Sequence, residues 1–242
     1  MASQYLLLWL EAPLQSWGFD SKFGRRDSLK FPTRSGVLGL LCAALGYSGE
    51  QKEFLAQMSS KQQLVVSYLR NDEKKQVITP EPLLMDFQMV GSGYDDSDPW
   101  QSLLIPKTSE GKKAVGGGSK MTYRYYLQDA RFAVVLECSQ AESTLFSEAL
   151  QNPMYDLFLG RKNCVPTEFI YQGVFDSENA ALEQATEIAN QKGCKEYFRV
   201  VEGDHADGDS MTLNDIPLQF GEVKKYRDRR VSIVYSLPTV TA

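Results

Sequence analysis

The residues of this chain best equipped for chemistry are cations set beside glycines and aromatic rings, rather than nucleophiles set beside bases. Gly160-Arg161-Lys162 places two cations directly after a glycine, so the backbone can approach a phosphate while the side chains neutralise it. Lys22, Arg25, Arg26, Lys30 and Arg34 crowd into one short stretch. Arg34 stands where a helix is expected to begin, so its charge and the helix N-terminus would act together on an anion. Lys120, Tyr123, Arg124 and Tyr126 mix charge with rings that can stack on bases. If this stretch is a strand, Thr122, Arg124 and Tyr126 share one face and Tyr123, Tyr125 and Leu127 the other. A tyrosine-rich strand packing on its own core would give the same composition.

Acid–base and metal chemistry are poorly supplied. The single histidine, His205, lies in Glu202-Gly203-Asp204-His205-Ala206-Asp207-Gly208-Asp209, an acidic run that would repel RNA and reads as a solvated loop. Asp95-Asp96-Ser97-Asp98 lacks the spacing of an EF-hand and reads as a hairpin tip. Cys42, Cys138, Cys164 and Cys194 are widely separated with no C-x-x-C pair, which predicts reduced thiols in a cytosolic protein and neither a zinc site nor a disulfide frame. Gly36, Gly39 and Gly46 lack the Gly-Lys-Ser/Thr ending of a phosphate-binding loop and read as small residues for close helix packing.

The elements that must position these groups are legible from periodicity. Gln4 to Leu10 is an apolar run of strand length, and a helix is expected from Thr33 or Ser35 to Gly46. Further helices are expected over Gly49–Met58, Ala141–Leu150 and Asn179–Gln191, with strands over Gln63–Leu69, Phe132–Glu137 and Arg229–Tyr235. The alternation predicts an α+β fold rather than a doubly wound sheet. Between Thr79 and Gln128 core periodicity lapses, which predicts a functional loop or a projecting hairpin.

The chain has 242 residues and a net charge of −5, which at first argues against a nucleic-acid partner. The distribution reverses that. Lys22–Arg34, Lys107–Arg124, Arg161–Lys162 and Lys224–Arg230 hold 17 of the 26 lysines and arginines but 3 of the 31 acids. These windows carry +14 and the remainder −19, the pattern of a basic groove on an acidic body if the windows meet in space. Four separate solvated loops would be the alternative. No apolar run has the length of a membrane span, and the N-terminus does not read as a secretion signal; a cytoplasmic location is expected.

Several phrases together resemble one family. Ala12–Gly18 (APLQSWG), Phe31–Leu41 (FPTRSGVLGLL), Thr122–Ala130 (TYRYYLQDA) and Phe158–Cys164 (FLGRKNC) are similar to the CasD family, RAMP proteins of type I-E CRISPR Cascade complexes. The similarity runs from Gln4 to about Gly173. It implies a ferredoxin-like, RRM-type domain over 1–165, with a projecting β-hairpin thumb at about 79–128, and a smaller β-rich C-terminal region over 166–242. It implies a subunit without cofactor or metal that holds the 5′ handle of the crRNA and contacts the large and backbone subunits. Target DNA would be met only indirectly. Matched residue by residue, Gln15, Trp17, Arg34 and Ser35 fall in the N-terminal motif, Trp17 being equally suited to core packing. Arg124 matches the thumb-base arginine with Tyr123 beside it, and Gly160, Arg161, Lys162 and Cys164 match the glycine-rich turn. In a related subtype the equivalent subunit is a metal-independent endoribonuclease that cuts precursor crRNA, and this is the competing expectation. A scaffold that binds only acidic proteins is a third.

Overall fold

The computed structural model describes residues 3–19, 21, 24–71, 79–90, 98–100, 107–112 and 120–236. In chain order its elements are β1 (Gln4–Gln15), the short β2 (Trp17–Gly18), β3 (Arg25–Arg26) and β4 (Ser28–Leu29), α1 (Arg34–Leu45), α2 (Lys52–Met58), β5 (Gln63–Arg70), β6 (Leu84–Val90), β7 (Lys120–Cys138), α3 (Gln140–Gln151), β8 (Tyr171–Phe175), α4 (Glu178–Gln191), β9 (Cys194–Glu202), β10 (Asp209–Gln219) and β11 (Lys225–Tyr235).

The N-terminal apolar run is continuous because β1 is covered on both faces. Leu6, Leu8 and Leu10 point to one side and Leu7 and Trp9 to the other, all without exposed surface. β1 lies between β7 and β8, and β5 flanks β7, giving the order β8-β1-β7-β5 with every neighbour antiparallel. With α1 and α2 between β1 and β5, and α3 between β7 and β8, this α+β order is consistent with a ferredoxin-like split β-α-β arrangement. α1, α2 and α3 cover the Leu6 face through Leu38, Leu41, Leu55, Met58 and Phe146. α4 covers the other face with Ala181, Ala185 and Ala189, one small residue per turn.

The sheet does not stop at β5. β9 pairs with β5, β11 with β9 and β10 with β11, all antiparallel. Val200, Leu213 and Val231 join the core cluster that contains Leu6, and β10 touches both α1 and α2. A buried ionic network ties this junction. Arg34, at the start of α1, donates to Glu202 Oε1 (2.5 Å), to the carbonyl of Met58 (2.9 Å) and to that of Lys61. Its backbone N–H donates to Asp215 Oδ2 (2.8 Å), and Asp215 also accepts both arms of Arg229, at 2.7 and 2.9 Å.

Local signals set the helix ends. Thr33 caps α1 by accepting from the Gly36 N–H, and Gly46 closes it at φ 73°. Ser139 and Glu142 form a reciprocal capping box on α3, and Ser177 caps α4. A Cβ on Gly36 would lie 2.8 Å from the Trp17 ring, so glycine here serves close packing of α1. The four cysteines are free and buried, and burial pushes the Cys42 and Cys138 thiols up to about 11. Among the described residues no helix is long and apolar enough to cross a membrane, and no three His, Cys, Asp or Glu side chains gather as a metal site.

Candidate nucleic-acid interface

β7 is longer than either strand expected for this region. Its second half is the sheet's central strand; its first half runs on, pairing with β6 on one edge and with β3, in parallel, on the other. The register sets Met85 opposite Tyr125, Phe87 opposite Tyr123 and Met89 opposite Met121 on one face. Met85, Phe87, Met89 and Met121 are each about half exposed, a row of apolar pairs with no cover among the described residues. The other face carries Thr122, Arg124 and Tyr126.

The glycine-rich turn is locked against this strand and against the N-terminal motif. Gly160 adopts φ 107°, and a Cβ there would fall 1.8 Å from the Ser16 carbonyl oxygen. Ser16 N–H donates to Leu159 O (3.1 Å), and Leu159 and Cys164 close the turn through Leu159 N to Cys164 O (2.8 Å). This places Arg161 with its guanidinium 4.6 Å from the Tyr126 ring centre, donating to the carbonyls of Tyr125 (3.2 Å) and Arg26 (2.9 Å). Arg26 is in register with Arg124 across the β3–β7 pair. Neither Arg26, Arg124, Arg161 nor Lys162 has a carboxylate partner among the described residues. Arg25 differs: it stacks over Tyr125 at 4.9 Å but is held by both oxygens of Asp27 at 2.9 Å. Like charges set side by side cost energy unless an anion joins them.

A cleft of about 650 Å³ opens beside these arginines. Arg26, Arg161 and Lys224 line it together with Ser35, Tyr47, Tyr155 and Tyr226. Three of the four basic windows therefore meet at one concavity. Lys107 to Lys112 are exposed and do not line it.

Five expected contact residues are placed differently. Arg34 is 1% exposed and commits Nη1 to Glu202 and Nη2 to two carbonyls, because α1 starts beneath the C-terminal strands and not at the surface. Its helix N-terminus is likewise engaged, by Asp215 and Thr33. Gln15 and Trp17 are buried: Trp17 Nε1 donates to Gln15 Oε1 (3.1 Å), whose amide donates to the carbonyls of Leu10 (3.1 Å) and Ala130 (2.7 Å). These two satisfy the interior where β1 leaves the sheet. Cys164 is buried in the turn and supports it from within. Tyr126 is also buried, offering Arg161 a ring rather than an exposed stacking surface. Ser35 lines the cleft with its hydroxyl donated to Thr33. Lys120 is the first residue of β7, in register with Val90; Lys22, Asp95–Ser97 and Gly116–Ser119 lie outside the described residues. Tyr47, Tyr155 and Tyr226 are additions from the structure; Tyr226 lies inside a basic window and Tyr155 a few residues before the Gly-Arg-Lys turn, while Tyr47 has no signal in the sequence.

A family profile described as CRISPR-associated protein (Cas_Cas5) matches residues 5–232. The chain belongs to the Cas5 family. Among curated relatives, CRISPR system Cascade subunit CasD of Escherichia coli (strain K12) is 32% identical over 174 residues, 70% of each chain. This is therefore a CasD-like RAMP protein. In fold it is similar to a chain of a solved CRISPR RNA-guided surveillance complex, with a TM-score of 0.69 and 23% identity over 96% of this chain and 89% of that one. A crystal structure of a Cas protein matches with a TM-score of 0.55, 23% identity, and coverage of 96% and 94%.

Proposed function

We propose that this Cas5-family chain is a non-catalytic RNA-binding subunit of a type I-E CRISPR Cascade complex. It caps and holds the 5′ handle of the crRNA and contacts the large and backbone subunits, and target DNA is met only through the guide. The observation that carries this is the trio Arg26, Arg124 and Arg161, none ion-paired among the described residues although Asp86 stands across from Arg124, with Arg26 and Arg161 lining an aromatic-lined cleft. Family membership and the relationship to a Cascade subunit point the same way. Phosphates of the handle neutralise the trio and Lys162, while Tyr47, Tyr155 and Tyr226 offer ring surface to bases. The β6–β7 ladder serves as the thumb, its exposed Met85, Phe87 and Met89 forming an apolar wedge between handle and spacer.

The endoribonuclease alternative would have to draw on Lys224 or on Tyr47, Tyr155 and Tyr226, since the histidine does not line the cleft. General acid–base cleavage needs a proton acceptor near a 2′-hydroxyl. His205 sits instead in the β9–β10 turn, its backbone N–H on Ser232 and its Nδ1 accepting from the Asp207 N–H. The test is mobility of labelled repeat RNA with purified chain in EDTA, wild type beside Arg161→Glu/Lys162→Glu. Retention without cleavage, lost in the folded double variant, is expected. Equal retention by both proteins would refute the assignment, and cleavage by the wild type would transfer it to the nuclease class.

A further inference from the structure

A second cavity, of about 830 Å³, opens beside Thr79–Leu83 at the foot of the β6–β7 ladder. It is separate from the cationic cleft yet close to it along the chain. Arg26 lines the cleft and Lys30 the cavity, and four residues of extended chain span at most roughly 14 Å. Its size is that of pockets that take ordinary ligands.

The lining is built for a flat, neutral ring. Tyr197 and Tyr235 meet edge to face at 5.5 Å and Phe198 stands 5.8 Å from Tyr235, so one wall is aromatic. Ser67 of β5 lines it, a mostly buried residue whose hydroxyl makes no hydrogen bond among the described residues and stays open to the cavity. Burial pushes the Tyr197 and Tyr235 phenols up, so both remain protonated donors at neutral pH. Lys30 and Arg70 at the mouth have no ion pair among the described residues, and Glu81 and Asp129 balance them. A site for phosphate alone would not carry two carboxylates. A nucleobase, with π faces and an edge of donors and acceptors, fits this mixture.

Resting on the RNA-holding role above, we propose that this cavity receives one unstacked nucleobase of the bound RNA. The aromatic wall of Tyr197 and Tyr235 meets one face of it and the Ser67 hydroxyl meets its edge. Lys30 and Arg70 take the flanking phosphates at the mouth. The cavity thus holds the RNA at a second point, beyond the foot of the ladder, and discriminates at a single base position.

The experiment replaces each base of the repeat RNA in turn with 2-aminopurine and follows its fluorescence on binding to the full chain. One position is expected to be quenched by the wild type and to recover its emission with Tyr197→Leu. The same position should recover with Lys30→Glu/Arg70→Glu, with affinity falling roughly tenfold, as for loss of one stacked base. Both residues of this pair are exposed, so they keep the test valid if Tyr197→Leu fails to fold. If every position responds identically in wild type and cavity variants, the cavity takes no base, while binding that still depends on Arg161 and Lys162 preserves the RNA-holding role. Absence of any binding by the wild type overturns both.

Discussion

Replacing Arg34 by leucine separates a residue of the fold from a residue of the interface. Arg34 loses contact with Glu202, two carbonyls and the solvent-free space around them. Burial draws its guanidinium down, with Glu202 and Asp215 opposing that and Arg229 adding to it, so the charge is held by its neighbours. Breaking a buried ionic contact costs about 3–5 kcal/mol. The lower end applies, because Glu202 is 39% exposed and keeps Arg229 at 3.3 Å, and Asp215 keeps both arms of Arg229. About 3 kcal/mol in a chain of this size is a fall of roughly 6–12 °C in melting midpoint. Thermal and urea melts followed by circular dichroism and tryptophan fluorescence would measure it. Arg34→Lys keeps the charge but cannot fork to three acceptors, and should fall between wild type and leucine. An Arg34→Leu chain with unchanged midpoint that no longer binds RNA would refute the argument and return Arg34 to the interface.

Gly160→Ala forces a side chain into φ 107° and against the Ser16 carbonyl; strain of about 1–3 kcal/mol should lower the midpoint by roughly 2–12 °C and weaken RNA retention in a gel, since Arg161 moves with the turn. Arg124→Ala/Arg161→Ala removes two phosphate contacts, so the slope of log affinity against log salt should become shallower by about 1.4, read by fluorescence anisotropy across a salt series. Burial raises Glu11, but its bonds to Trp9 and Lys192 and the charge of Arg131 outweigh that and leave it low; Ser139 and Lys61 do the same for Glu142. Carboxyls lowered on folding stabilise above their ordinary value and lose that contribution as pH falls through the folded one, so urea midpoints should decline below about pH 4.5, and less steeply in Glu11→Gln.

Where the sequence was legible, the reason was periodicity or a cap. Leu6 to Leu10 reads as a strand from its unbroken apolar run, and Thr33 as a helix start; the helices expected at Ala141 and Asn179 begin a residue earlier, behind the caps Ser139 and Ser177. The Gly-Arg-Lys turn and the Tyr123–Tyr126 strand were also legible, because their alternation and charge are local. What could not be read was depth. Arg34 and Arg229 look like surface cations, and only the β9–β11 strands, folding over α1, show them to be interior. Gln15 and Trp17 belong to a phrase whose distinctiveness lies in packing, Trp17 against Gly36 and Gln15 against the carbonyl of Ala130. β10 is not legible because Pro217 and the buried Asp215 interrupt the alternation on which strand recognition depends.

The length of β7 has a mechanical consequence. One half is clamped between β1 and β5; the other has β6 as its one long companion among the described residues. Such a part is a cantilever, and its stiffness comes from the clamp. The paired register is interrupted once, at Asp129, which sits at φ 45° across from Pro13, a residue without an N–H to offer. That elbow sets the angle at which the arm leaves the body. Beyond the elbow the arm is braced on β1 at Leu14 and Gln15, on β3, and by Arg161 at the Tyr125 carbonyl, so a load on its tip passes through the same turn that carries the cations.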